Sequence, residues 1–238
     1  MSLRKVIGRI YRLSNAILGW RYDWETRAIR NFFRKYVSPQ NKILDVGCGY
    51  GRNLRTLRAA GYRNVTGVDV NPEIVKINLA SGLNAMTAKA FEKTTGRFDA
   101  ILLSHVVEHF TPQALMEFLD DYLKRLVPGG YLIIATPLHS AYFYDDFDHI
   151  KPYQPTGFLQ ILSGNSAQIQ YYSAHQVELT DLRFRRNSIE IRYHKSLYIT
   201  GFSSPILQTI NFVSHILFLL SFRLFGKTDG WLGVFRKT

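Results

Sequence analysis

An α/β fold on a mainly parallel, doubly wound sheet is what this sequence predicts, and three observations carry the prediction. Between Ile43 and Thr136, short apolar runs of strand length alternate with segments of helical length, as in a parallel sheet covered on both faces. The first run, Lys42 to Val46, enters a glycine turn, Gly47-Cys48-Gly49-Tyr50-Gly51, just before a helix that begins near Arg52. The second run, Val65 to Val70, carries the carboxylate Asp69, 24 residues after Asp45. At the carboxyl ends of neighbouring parallel strands, such turns and carboxylates face one crevice.

Taken in order, the chain opens on Leu3, Val6, Ile7, Ile10, Leu13 and Ile17, with Arg4, Lys5, Arg9 and Arg12 mostly off that stripe. The spacing predicts a basic amphipathic helix, closed by Trp20, Tyr22 and Trp24. A second helix is predicted over Glu25 to Tyr36, through Ile29, Phe32 and Phe33. The two make a helical cap over residues 1–37, and the main domain runs from residue 38 to 238. Arg52 to Ala60 and Pro72 to Ala80 are its first helices, the latter announced by Asn71-Pro72-Glu73. Asn84 to Ala90 reads as the third strand and Phe98 to Ser104 as the fourth. A helix over Pro112 to Leu126 then ends at Pro128-Gly129-Gly130, a sharp turn into a fifth strand that closes at Pro137. Gln176 to Phe184 is the sixth strand, Ser188 to His194 a further extended piece, and Gly230 to Lys237 the seventh strand. An apolar helical insertion, residues 199–228, precedes that last strand. Its apolar run, Phe212 to Phe222, falls short of the roughly 20 residues that span a bilayer. A crossing there would also part the seventh strand from its sheet.

With 238 residues, 46% of them hydrophobic, the chain can bury one sizeable core. Its single cysteine, Cys48, excludes an intramolecular disulfide and fits a reducing cytoplasm. Basic residues are scattered through Met1 to Trp20, unlike a secretory leader. The net charge is +12, and residues 1–35 hold nine Lys and Arg against Asp23 and Glu25. That concentration implies an anionic partner, either acidic lipid headgroups or nucleic acid; the plain alternative is a solvated face. Together with the apolar insertion it favours peripheral attachment to the inner face of a membrane. RNA ranks lower, because neither a recognisable RNA-binding module nor a Lys-rich tail is present.

The glycine turn reads Asp45-x-Gly47-x-Gly49-x-Gly51. A nicotinamide fingerprint would be G-x-G-x-x-G; here the third glycine comes one residue early and Arg52 takes its place. The pattern resembles motif I of the class I S-adenosylmethionine (SAM) dependent methyltransferases. Ser104-His105-Val106-Val107-Glu108-His109 is similar to the S-H-x-x-E-H segment of the type 11 and type 23 methyltransferase families. The D/N-P-P-Y/F/W motif of enzymes that methylate amino groups of nucleic-acid bases is absent. The resemblance implies a seven-stranded sheet, SAM as cofactor and S-adenosylhomocysteine as product. It assigns cofactor binding to Asp45, Gly47, Cys48, Gly49, Gly51, Asp69, Val70 and Ser104, with Asp69 on the ribose hydroxyls. The acidic residue the family often uses on adenine is missing after the third strand, which leaves Ala90 and Phe91 as positional candidates. Two structural readings stand beside these: Asp69 as a cap of the helix at Pro72, and Phe91 as core.

Methyl transfer from a sulfonium is an in-line displacement, so positioning dominates, and a hydroxyl acceptor gains from a base. An imidazole titrating near neutrality suits that task. His105 is the expected base, against a structurally satisfied histidine. His149 is the second candidate, with Asp148, in Asp148-His149-Ile150-Lys151-Pro152-Tyr153-Gln154-Pro155, which resembles the family's D-H-x-R-x-Y/F-T-P. If the segment is helical, His105, Glu108 and His109 share one face. Quinone-biosynthesis O-methyltransferases and small-RNA 2′-O-methyltransferases carry E-x-x-E-H there and use a divalent ion. A histidine in place of the first Glu moves the site away from magnesium, toward zinc or manganese, and no metal is expected. The expected reaction is O-methylation of a small-molecule, sugar or lipid-linked acceptor, such as an envelope glycan or a prenylated ring. The alternatives are RNA methylation and a SAM-binding scaffold without catalysis.

Overall fold

The computed structural model describes residues 24–140, 142–163, 170, 172–191 and 203–238. The amphipathic helix expected over Leu3 to Ile17, with Trp20 and Tyr22, and the extended piece after Ile191 lie outside the described residues. The elements run α1 (Trp24–Tyr36), β1 (Ile43–Val46), α2 (Arg52–Ala59), β2 (Val65–Asp69), α3 (Pro72–Ala80), β3 (Ala85–Thr87), α4 (Ala88–Glu92), β4 (Phe98–Ser104), α5 (Pro112–Leu123), β5 (Leu126–Pro137), α6 (Pro155–Ser163), β6 (Val177–Asn187), α7 (Ser203–Leu220) and β7 (Lys227–Lys237). They build a seven-stranded sheet in the order β3-β2-β1-β4-β5-β7-β6.

Strands β1 to β5 are parallel, and β7 joins antiparallel to both β5 and β6. The order reverses between β1 and β4, where Val46 lies beside Leu103. A ligand crevice is expected outside that switch point, which puts it at Gly47 and His105.

Successive strand side chains point to opposite faces, and the core divides accordingly. Leu44, Val46, Ile101, Leu103, Leu132 and Ile134 pack on one face with Leu119 of α5 and Phe158 of α6. Ile43, Ala100, Leu102, Ile133 and Ala135 pack on the other with Leu54 and Leu57 of α2 and with Ile29, Phe32 and Phe33 of α1. The last three are fully buried, so α1 packs into the main core.

Three elements differ from expectation. The third strand stops at Thr87, whose hydroxyl caps α4 through the Ala90 N–H at 3.2 Å; Ala88, Lys89 and Ala90 are good helix formers. Strand β5 begins at Leu126, so Pro128-Gly129-Gly130 lies inside it, with Gly129 at φ +75° and a register shift between Phe98 and Ala100 on β4. The β6–β7 hairpin is longer than expected and pairs Asn187 with Lys227. That end of the hairpin lies where β5 closes, since Pro137 pairs with Gly230. The α7 insertion therefore leaves the sheet at the crevice side.

Candidate active site

The crevice holds a cavity of about 840 Å³ whose walls include Gly47, Asp69, Val70, Ala88, Phe91 and His105. Gly47 sits at φ +65°, and a Cβ there would come within 2.6 Å of Val106 Cγ2. Gly51, at φ +77°, would strike Asn78 Oδ1 and Leu83 Cδ1 at 2.6 Å; its missing side chain serves packing under the turn and not the cavity. Cys48 is buried beside Asn78, and burial pushes its thiol up to about 12, as for an inert filler.

Asp45 is fully buried, and neither carboxylate oxygen completes a hydrogen bond to the described residues. Burial pushes it up to about 7, against a weaker pull from Asn53 and Arg52. An uncompensated buried carboxylate is costly, so its place behind the glycine turn fits a ligand that brings a cation. Asp69 accepts the Gly49 N–H on Oδ2 and the Asn71 N–H on Oδ1, both at 2.9 Å. The cap of α3 is Asn71, which accepts the Glu73 N–H at 2.9 Å, so Asp69 is not needed for capping and faces the cavity.

At the adenine end the expectation for Ala90 does not hold. Its N–H is taken by Thr87, its side chain is exposed, and the wall is Ala88 and Phe91. Phe91 is both wall and core: it is buried and stacks on Tyr122 with centroids 5.7 Å apart. Ser104 does not line the cavity as expected; its hydroxyl takes a long 3.4 Å contact from Arg52.

Sequence reasoning missed the charge network around Glu25, on the first turn of α1. Glu25 Oε1 accepts Arg52 Nη2 at 2.9 Å and His105 Nε2 at 3.0 Å; Oε2 pairs with Arg185, which also holds Asp229 at 2.9 Å. The other ring nitrogen of His105 meets Glu108 Oε1 at 3.1 Å, and Glu108 Oε2 accepts the Thr136 hydroxyl at 3.1 Å. Burial alone would raise the Glu25 carboxyl, but hydrogen bonding and charge from His105, then Arg185 and Arg52, hold it at about 2. Burial alone would lower His105, but Glu108 and Glu25 lift it to about 9. His105 is thus an imidazolium at neutral pH with a carboxylate on each nitrogen. Both ring nitrogens of the expected base are thereby engaged, and Arg185 Nη1 lies 3.5 Å from Nε2.

His105 also breaks the expected helical face. It adopts φ +58°, and only Val107–His109 forms a short 3₁₀ turn. His105 therefore turns to Glu25 while His109 turns to His149, with ring centroids 5.0 Å apart. His109 Nδ1 donates to the Asp148 carbonyl at 3.0 Å and His149 Nδ1 to the Phe143 carbonyl at 2.7 Å. A carbonyl only accepts, so Nδ1 is the donor in each ring; His149 Nε2 lies 3.7 Å from Asp146 Oδ2. Asp148 is exposed and meets the pair through its backbone carbonyl. Glu108, His109 and His149 each bring one donor atom within 4.8 Å of the others, so the set that could hold a metal differs from His105, Glu108 and His109.

A family model described as a methyltransferase domain matches residues 20–180. Demethylmenaquinone methyltransferase of Tropheryma whipplei is 26% identical over 188 residues, covering 71% of this chain and 74% of that protein. Ubiquinone biosynthesis O-methyltransferase of Caulobacter sp. is 34% identical over 104 residues, 40% of each chain. The solved SAM dependent methyltransferase from Archaeoglobus fulgidus superimposes with a TM-score of 0.57 over 89% of this chain and 94% of its own, at 21% identity. The family match covers well over half of the chain, and the sheet order agrees with it: this chain belongs to the methyltransferase domain family and is a class I SAM-dependent methyltransferase.

Proposed function

We propose that the protein transfers the SAM methyl group to a hydroxyl oxygen of a small, hydrophobic ring acceptor, of which a lipid-linked or prenylated ring is the best fit. The observation that carries this reading is the His109–His149 pair. His109 lines the cavity, and its Nδ1–H is held by a backbone carbonyl, so Nε2 stands ready to take the proton that a hydroxyl loses as its oxygen attacks the sulfonium methyl. His149 holds the same tautomer behind it. The aromatic rings of Phe110, Phe118 and Tyr122 in the cavity wall favour an apolar ring, and relatives named for demethylmenaquinone methylation and ubiquinone biosynthesis support a quinone-type acceptor.

In this reading Asp69 takes the ribose hydroxyls, Asp45 supplies negative charge from behind the glycine turn toward the cofactor ammonium, and Ala88 and Phe91 flank the adenine. Glu108, His109 and His149 give a second reading. One carboxylate and two imidazoles, each oriented by a carbonyl on Nδ1, suit zinc or manganese. A bound ion would polarise the acceptor oxygen.

The test is S-adenosylhomocysteine release by the purified protein against hydroxylated prenyl rings, sugars and RNA, with the methylated atom located by mass spectrometry. Turnover on ring hydroxyls that falls about 100-fold or more in His109→Gln and His149→Gln supports the reading. Methylation on carbon, or turnover on RNA alone, overturns it. Loss with chelator and recovery with manganese or zinc would favour the ion.

A further inference from the structure

Helix α7 is inverted relative to an ordinary surface helix. Two of its polar side chains point inward: Asn211 is buried, donating to the Ile191 carbonyl and accepting the Ile191 N–H, both at 2.8 Å, and Ser214 donates to the Ile189 carbonyl. Its outer stripe is Ile206, Ile210, Val213, Leu217 and Leu220, spaced four, three, four and three residues apart on one face. No residue of the helix is charged. The stripe continues past the helix end into Phe222, 91% exposed, and Leu224, 79% exposed. That tip is built and not frayed. Arg186 donates to the carbonyls of Arg223, Leu224 and Gly226 at 2.9–3.1 Å, which holds Phe222 and Arg223 at positive φ. Contiguous exposed apolar surface of this kind marks an interaction site.

We propose that this face docks the protein onto an anionic lipid surface, lying in the interface without crossing it. Charge selects the occupant. Residues 191–228 contain Arg192, Lys195, Arg223 and Lys227 and no Asp or Glu, within a chain of net charge +12. A second copy paired by a two-fold axis would set the bases beside the stripe, Arg223 and Lys227, against their own copies, whereas acidic headgroups complement them and acyl chains accept the stripe. Among the described residues no helix is long and apolar enough to cross a membrane. Placement gives the docking a use. The insertion leaves β6 two residues after Arg185, which touches Glu25 of the active site, and returns through Lys227, 5.4 Å from the Tyr142 ring. Docking there holds the crevice at the lipid surface. The inference does not depend on which acceptor is methylated.

The test is sedimentation of the full chain with phosphatidylglycerol vesicles, with phosphatidylcholine vesicles as the neutral arm, over a salt series. A triple variant, Ile210→Gln, Val213→Gln and Leu217→Gln, changes exposed positions to a good helix former; SAM binding and melting temperature report that it folds. Retention on the anionic vesicles that falls with salt, and drops at least tenfold in the variant, is the expected result. Phe222→Trp should gain emission that brominated lipids quench. Three results would each overturn the proposal: no retention at low salt, retention unchanged in the triple variant, or a dimer in solution that the variant dissolves while vesicles capture nothing.

Discussion

Glu25→Gln removes one charge from the active-site network and keeps its shape. Glu25 is buried and faces His105, Arg52 and Arg185, so the variant leaves an imidazolium and a largely buried guanidinium short of a counter-charge. A carboxyl held at about 2 instead of its ordinary 4.5 corresponds to ~3 kcal/mol of stability at pH 7. Breaking one side of a buried ion pair costs a similar ~3–5 kcal/mol. For a chain of this length that lowers the melting temperature by roughly 6–12 °C. The pH dependence has a definite sign at both ends. A depressed carboxyl contributes stability that is complete above 4.5 and lost as pH falls toward 2. A raised histidine contributes stability that is complete below 6.5 and lost as pH rises through about 9. The gap between wild type and variant in urea unfolding should therefore be widest between those limits, narrowing in acid as Glu25 protonates and in base as His105 loses its proton. A gap under about 1 kcal/mol, flat from acid to alkaline pH, would refute the argument.

Asp45→Asn should raise the melting temperature of the ligand-free protein at pH 8 and weaken SAM binding in calorimetry. Burial lifts this carboxyl from 3.8 to about 7, so its ionised form opposes folding above 3.8, and the stability gain of the variant should fade as pH drops toward that value. Wild-type SAM affinity should fall as pH drops through about 7, where the carboxylate gains its proton; an affinity independent of pH would exclude Asp45 from cofactor binding. Gly47→Ala should destabilise more than Gly49→Ala. Both residues have positive φ, but a Cβ at Gly47 lies 2.6 Å from Val106 whereas at Gly49 nothing lies within 4 Å, leaving only the left-handed penalty of roughly 1–2 kcal/mol. Equal melting temperatures would show that Val106 yields freely.

What could be read in the sequence was local. Strand β4 was legible to the residue because a parallel strand buried on both faces is a short, nearly continuous apolar run, and the glycine turn because Gly47, Gly49 and Gly51 need left-handed backbone. Asp69 was legible by its place at a strand end. What escaped depends on long-range neighbours. Glu25 meets partners 27, 80 and 160 residues away, and its one trace in sequence is an acid among many bases at a helix start. The grouping of His105 with Glu108 and His109 on one face was conditional on helical backbone, and nothing local announces φ +58°. Ala90 failed for a neighbouring reason: a run read as strand turns into helix after Thr87, so the wall residue moves from 90 to 88.

The two histidine environments divide the chemistry. His105 sits in strained backbone at the end of β4 with a carboxylate on each nitrogen, and such strain persists where surrounding contacts over-determine it. Those contacts come from α1, from Glu108 and, through Arg185, from the β6–β7 hairpin, so the imidazolium ties three distant parts of the chain to the floor of the crevice. A group held this way is fixed in its geometry. His109 and His149 differ: each has Nδ1 fixed by a backbone carbonyl, and His149 Nε2 lies 3.7 Å from the Asp146 carboxylate. In the proposed function, positioning would fall to His105 and proton removal to His109, four residues apart in sequence, with the Val107–His109 turn following His105. Substitution at Glu25 should then act on stability and cofactor placement, while the ionisation seen in a pH–rate profile should follow His109 and His149.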